Sequence, residues 1–193
     1  MNPILREIPK EISSDRLLLR CPKVEDTEQL YTAIERSLDD LKLWLPFAYK
    51  GQNKEETEIN LRQAIAKFDL REALRFIIVE KATDQVVGST GFHNLDWSKM
   101  SAEIGYWLDS TYTGKGYVTE AVNALTKFAF ETLELKRVEI RCEGHNWKSR
   151  AVAERSGYIL EGVLRKEDWS VDEQKLTDTC IYALLDEDYF SKE

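Results

Sequence analysis

The stretch from Ala102 to Ala121, AEIGYWLDSTYTGKGYVTEA, constrains this chain more than any other. A strand pattern runs through a loop punctuated by Gly114 and Gly116 into a helix. Val118, Ala121, Val122, Leu125, Phe128 and Ala129 form that helix's apolar stripe. The first turn of a helix carries unpaired amides and a partial positive charge, and glycines let backbone approach a ligand closely. Together they make a cradle for phosphate. On spacing alone an ordinary strand-to-helix turn fits equally well. A dinucleotide fingerprint fails because Thr119 stands where a third glycine or alanine is needed, and the unit lies mid-chain. A triphosphate loop fails because Lys115 lies between the glycines and Tyr117 follows them.

A chain of 193 residues can bury a core without disulfides or a structural metal. Its net charge of −8 argues against a nucleic-acid binder. Cys21, Cys142 and Cys180 are odd in number and widely spaced, so neither a disulfide framework nor a zinc site is expected. His93 and His145 lack ligand-like partners in sequence, and no metal is expected. No apolar run approaches the roughly 18 residues of a membrane span, and the N-terminus lacks a long apolar core. A cytoplasmic location, with no membrane or nucleic-acid partner, is the expectation.

Hydrophobic periodicity predicts a strand at 16–20, one or two helices over 30–41, and a capped helix from Asn53 to about Phe68. Strands are expected at 75–80, from Val86, and at 102–108, with a polar loop around 94–98. After the helix from Tyr117 come a strand at 137–142, a helix at 147–156 ended by Gly157, and strands at 160–166 and 179–185. No repeat or linker interrupts. This order points to one α/β (α+β) domain over residues 1–193 with a mixed sheet.

Several blocks in order resemble the GNAT superfamily of acyl-CoA-dependent N-acyltransferases, within it the RimJ/RimL type. They are DRLLLR at Asp15, LWLPFA at Leu43, AEIGYWLD at Ala102, GKGYVTEA at Gly114, and EGHNWKSRAVAERSGYILEGVLR from Glu143 to Arg165. The resemblance spans almost the whole chain. It implies a mostly antiparallel central sheet with helices on both faces. The loop departs from the superfamily pattern at one position, where Thr111 replaces an Arg or Gln.

The resemblance implies acetyl-CoA as co-substrate, with its pyrophosphate on the amides around Thr113, Gly114, Lys115, Gly116, Tyr117 and Val118. Pantetheine would lie beside the strand ending at Trp107 and Leu108, where its amides can pair with backbone as an added strand would. Acyl transfer to an amine needs a base, an oxyanion site and a proton for the leaving thiolate. Glu103, which matches a base used by some members, and Asp168, or its neighbour Glu167, are the contenders for the first. Glu103 also reads as an ordinary polar strand residue, and Asp168 as part of a solvated acidic turn. A backbone N–H near Tyr106 or Trp107 would hold the oxyanion. Asn146 reads as a helix N-cap and a second pantetheine contact. By resemblance Ser149 supplies the thiolate's proton, and Tyr158, which follows Gly157, reads as core.

Trp44, Pro46 and Phe47 are candidate acceptor walls, with Trp97 and Trp169 nearby. RimJ/RimL enzymes acetylate N-terminal amines of ribosomal proteins, so a protein N-terminus is the leading acceptor. Small amines, and a non-catalytic acyl-CoA sensor, remain alternatives, and a homodimer is expected from the family.

Overall fold

The computed structural model describes residues 2–191. In chain order its elements are β1 (Glu11–Ser13), β2 (Leu17–Arg20), α1 (Thr27–Arg36), α2 (Leu38–Leu41), α3 (Pro46–Tyr49) and α4 (Lys54–Leu70). Then come β3 (Leu74–Glu80), β4 (Gln85–Asp96), β5 (Ser101–Leu108), α5 (Tyr117–Lys127), β6 (Arg137–Glu143), α6 (Trp147–Arg155), β7 (Ile159–Trp169), β8 (Leu176–Leu185) and α7 (Asp186–Phe190). The expected cap of α4 is present: Asn53 Oδ1 accepts from the Glu56 amide at 2.9 Å, and Glu56 Oε2 accepts from the Asn53 amide at 2.8 Å.

The strands form one sheet in the order β1-β2-β3-β4-β5-β6-β8-β7, antiparallel everywhere except between β5 and β6. That parallel pairing spans only Ser101–Glu103 against Arg137–Glu139. β6 continues along β8, and β5 continues along β4. From Ile104 onward β5 therefore has a strand on one edge and none on the other, so a wedge opens in the middle of the sheet.

Helices cover both faces. On one, Leu19, Phe76, Ile78 and Ile104 pack with Ala121, Val122 and Leu125 of α5 and Val152 of α6. On the other, Ile77, Val79, Val86 and Trp107 meet Leu30 and Ile34 of α1 and Leu61 of α4. Successive strand residues point to opposite faces, so a strand covered on both reads as a continuous apolar run, as FIIV in β3 does.

Several boundaries differ from expectation: β1 was not expected, and β8 starts at Leu176, three residues early. β4 runs on to Asp96 through the polar residues expected to form a loop. The turn comes later, and Asp96 Oδ1 holds it by accepting from the Ser98 amide at 2.9 Å and the Lys99 amide at 3.1 Å. β7 continues past Lys166 to Trp169 through an irregular register, so Asp168 lies in a strand and not in a turn. The end of the helical stretch after Tyr117 widens to a π-turn at Phe128–Thr132, with Phe128, Ala129 and Phe130 all buried. Among the described residues no helix is long and apolar enough to cross a membrane.

Candidate active site

The loop between β5 and α5 is anchored from below. Asp109 is fully buried and accepts from the Thr111 amide and hydroxyl at 3.0 and 2.8 Å, and Arg36 pairs with it at 2.5 Å. Thr111, the departure from the family pattern, is thus part of the loop's internal scaffold. Gly114 and Gly116 follow with φ of +76° and +79°, a region that costs other residues strain. Beyond them, the amides of residues 114 to 119 donate to no protein acceptor among the described residues; the first amide of α5 to find a carbonyl is that of Glu120, on Gly116 O at 3.0 Å. Lys115 turns aside, its ammonium 4.7 Å from the Tyr112 ring centroid. Arg16 braces the loop by donating to Lys115 O at 2.9 Å and to Glu120 Oε2 at 2.7 Å.

These amides open into a cavity of about 680 Å³ lined by Thr113, Gly114, Gly116, Tyr117, Val118, Trp147, Lys148 and Arg155 among others. Lys148 and Arg155 are cations on α6 that the loop motif could not announce; among the described residues no carboxylate lines this cavity. Leu108, Thr113, Val118, Lys148 and Val152 also line a second cavity, of about 350 Å³, that fills the wedge between β5 and β6. The two form one path from the loop into the middle of the sheet.

Inside the wedge lies a polar cluster. Asn146 caps α6 as expected, accepting from the Ser149 amide at 3.1 Å. Ser149 Oγ lies 2.9 Å from the Tyr106 hydroxyl, which also donates to the Ser149 carbonyl at 3.1 Å. Burial pushes Tyr106 well above the ordinary phenol value and Cys142 up to about 11, so both keep their protons at neutral pH. The Tyr106 side chain was not singled out from sequence. Its signal was parity: it shares a face of β5 with Ile104 and Leu108, the face toward α5 and α6. Tyr158 is buried, with its hydroxyl 2.8 Å from Thr126, as its reading as core implied.

The third cavity, about 310 Å³, lies on the opposite side of β5, under α1 and α4. It shares Leu45, His93, Gly105, Tyr106 and Trp107 with the wedge. Glu103 and His93 face each other across β4 and β5, with Oε1 and Nε2 3.6 Å apart, while Asn94 donates to Glu103 Oε2 at 3.0 Å. Glu103 lines the wedge, and His93 lines both cavities. Trp44 lines the wedge; Phe47 lines the third cavity, its ring 6.4 Å from that of Trp107.

Other candidates lie elsewhere. Pro46 starts α3 and lines none of the three cavities. Trp97 is spent on packing: its indole N–H donates to Arg71 O at 2.9 Å and Arg6 stacks 5.0 Å above its ring. Asp168 and the exposed Trp169 line none of the three cavities, because β7 is the edge strand and β8 separates it from β6. Glu167 is paired to Arg141 at 2.9 Å.

Comparison with known proteins agrees with this layout. A sequence model of the acetyltransferase (GNAT) domain matches residues 16–159. The ribosomal-protein-serine acetyltransferase of Escherichia coli K12 is 30% identical over 172 residues, covering 89% of this chain and 94% of that protein. The solved structure of the microcin C7 self-immunity acetyltransferase MccE, in complex with acetyl-CoA and AMP, superposes with a TM-score of 0.82 at 29% identity, over 89% of this chain and 93% of that one. RimL, the ribosomal L7/L12 α-N-protein acetyltransferase, solved with CoA in disulfide linkage to one of its cysteines, gives 0.83 at 25% identity over 91% and 97%. This chain belongs to the GNAT acetyltransferase family, as an acetyl-CoA-dependent N-acetyltransferase of the RimJ/RimL type.

Proposed function

We propose that this enzyme moves the acetyl group of acetyl-CoA to the N-terminal α-amino group of a protein by direct attack on the thioester. The observation that carries the reading is the continuous path from the unpaired amides of residues 114–119 into the wedge beside β5. The amides and the dipole of α5 suit a pyrophosphate, with Lys148 and Arg155 adding positive charge. The unpaired edge of β5 at Trp107 and Leu108 suits the two amides of pantetheine, with Asn146 alongside. Trp44 and Phe47 wall the entry of the acceptor. Kinship to ribosomal-protein acetyltransferases supports a protein N-terminus over a small amine.

In the reaction the amine nitrogen bonds to the acyl carbon, the carbon–sulfur bond breaks, and one proton passes overall from nitrogen to sulfur. A free α-amino group has a pKa of about 8, so it needs an acceptor for its proton near neutrality. Glu103 with His93 is placed for that, at the junction of the two cavities. Ser149 delivers the proton to sulfur. Tyr106, kept protonated by burial, holds the Ser149 hydroxyl in place. The test is a screen of peptide N-termini and small amines with labelled acetyl-CoA. Acetylated peptide amines are expected; transfer to small amines alone would overturn the acceptor, and transfer to none would overturn the reading.

A further inference from the structure

The floor of the cavity under α1 and α4 is a row across three strands. Arg75 of β3 pairs with Gly91 of β4, and Gly91 pairs with Gly105 of β5. Two adjacent glycines leave a groove without side chains. A Cβ on Gly91 would stand 2.3 Å from the backbone oxygen of Leu74, which bars a side chain there, while one on Gly105 would crowd the His93 ring at 3.2 Å from Nε2. The groove therefore runs from β5, where the thioester would lie, toward Arg75.

Arg75 is partly buried and has no carboxylate partner among the described residues. Its Nε–H donates to Ser89 Oγ at 2.8 Å, and Nη1 donates to Asn60 Oδ1. Both partners are neutral. Nη2 makes no hydrogen bond to protein among the described residues, so part of the donor fork is unused. Burial alone acts on its pKa, pulling it to about 10, which leaves the guanidinium charged at neutral pH. Lys67, on α4, lines the same cavity, and among the described residues no Asp or Glu does. A cavity lined by two cations with no carboxylate is out of character for a protein of net charge −8. A buried cation needs a counter-charge, and a guanidinium fork fits the two oxygens of a carboxylate or phosphate.

We infer that the acceptor carries a compact oxyanion, a carboxylate or phosphate close to the reacting amine, and that Arg75 with help from Lys67 reads it. The reach is short. Arg75 leans toward Ser89, which pairs with Trp107 on β5, so its charge lies about one strand spacing, roughly 5 Å, from β5. The anion is then on the first or second residue of a peptide acceptor. This inference rests on the acetyltransferase reading and adds to it the substrate class.

The experiment compares Xaa-Ala-Ala-Ala amides with Asp, Asn, Glu, Gln, phosphoserine or Ser at the first or second position, in wild type, R75Q, R75K and K67Q. Wild type should favour the charged member of each matched pair through KM. R75Q should raise KM for anionic peptides on the order of 10- to 100-fold and leave neutral ones and acetyl-CoA unchanged. R75K should restore part of the loss, and K67Q, on an exposed helix face, should give a smaller loss without endangering the fold. Preference for aspartyl or glutamyl peptides identifies a carboxylate; preference for phosphoseryl identifies a phosphate. Equal use of charged and neutral peptides by wild type, or an equal effect of R75Q on both, overturns the inference. If no amine is acetylated, the acetyltransferase reading fails separately, and calorimetric binding of the acetyl-aspartyl and acetyl-asparaginyl peptides in the presence of CoA still decides: tighter aspartyl binding that R75Q abolishes supports it, and equal binding overturns it.

Discussion

The two sides of β5 are built by different means. On the side proposed for the cofactor the available groups are mostly backbone: the amides of residues 114–119 and the strand edge from Ile104 to Leu108, which pairs with β4 alone. On the side proposed for the acceptor they are side chains from separate elements: Phe47 from α3, Lys67 from α4, Arg75 from β3, His93 from β4. A backbone site is encoded by a short run of residues that sets local conformation. A side-chain site is encoded by whatever the fold brings together, and it can change without disturbing the cradle. On the proposed reading the first side would specify the reaction, and the second would specify which amine receives the acetyl group.

The sharpest test of that division lies where the sides meet. Ser149→Ala should lower kcat by about 100-fold or more, the range for a lost proton-transfer group, with KM for acetyl-CoA little changed. Steady-state kinetics decides, and undiminished kcat would remove Ser149 from the chemistry. Glu103→Gln should lower kcat/KM at neutral pH by on the order of 10- to 100-fold, read by steady-state kinetics. Asp168→Asn, outside the cavities, should leave kcat/KM unchanged; the reverse pattern would move the base to β7.

Gly116→Val forces a β-branched residue into φ of +79° at the entry of α5. It should weaken CoA binding by roughly 10-fold through that strain, read by calorimetry, while acceptor KM stays the same. A shift in acceptor KM instead would join the two sides. The smallest effect concerns Cys142. With its thiol pushed up to about 11, the thiolate is scarce at pH 8, so alkylation by iodoacetamide should be slow and rise about tenfold per pH unit up to that value. Labelling at pH 8 as fast as an ordinary cysteine would show the wedge to be wetter than the structure makes it.

Much of the fold was legible because its signals are local. The Asn53 and Glu56 cap, the apolar stripe after Tyr117 and the FIIV run each declare an element within a few residues. The misplaced boundaries were settled by partners distant in sequence. Polar His93 and Asn94 belong to a strand because β5 pairs alongside, and β7 outlasts its apolar run because β8 pairs with it as far as Trp169. The same distinction separates the candidate residues. Asn146 and Ser149 stand three apart on one helix turn and were found; Tyr106 meets Ser149 across 43 residues and was not. Trp97, an aromatic near the expected acceptor wall, turned out to satisfy its indole on Arg71.

By itself the sequence determined the glycine loop and the helix that follows, because φ preference, capping and amide direction are properties of neighbours along the chain. Only the tertiary structure decided that β5 and β6 separate after three paired residues, that Tyr106 reaches Ser149, and that Arg75 has no carboxylate partner among the described residues at the end of a glycine-floored groove. Pairing register and the placing of charges depend on which segments meet across the sheet, and no local pattern records that.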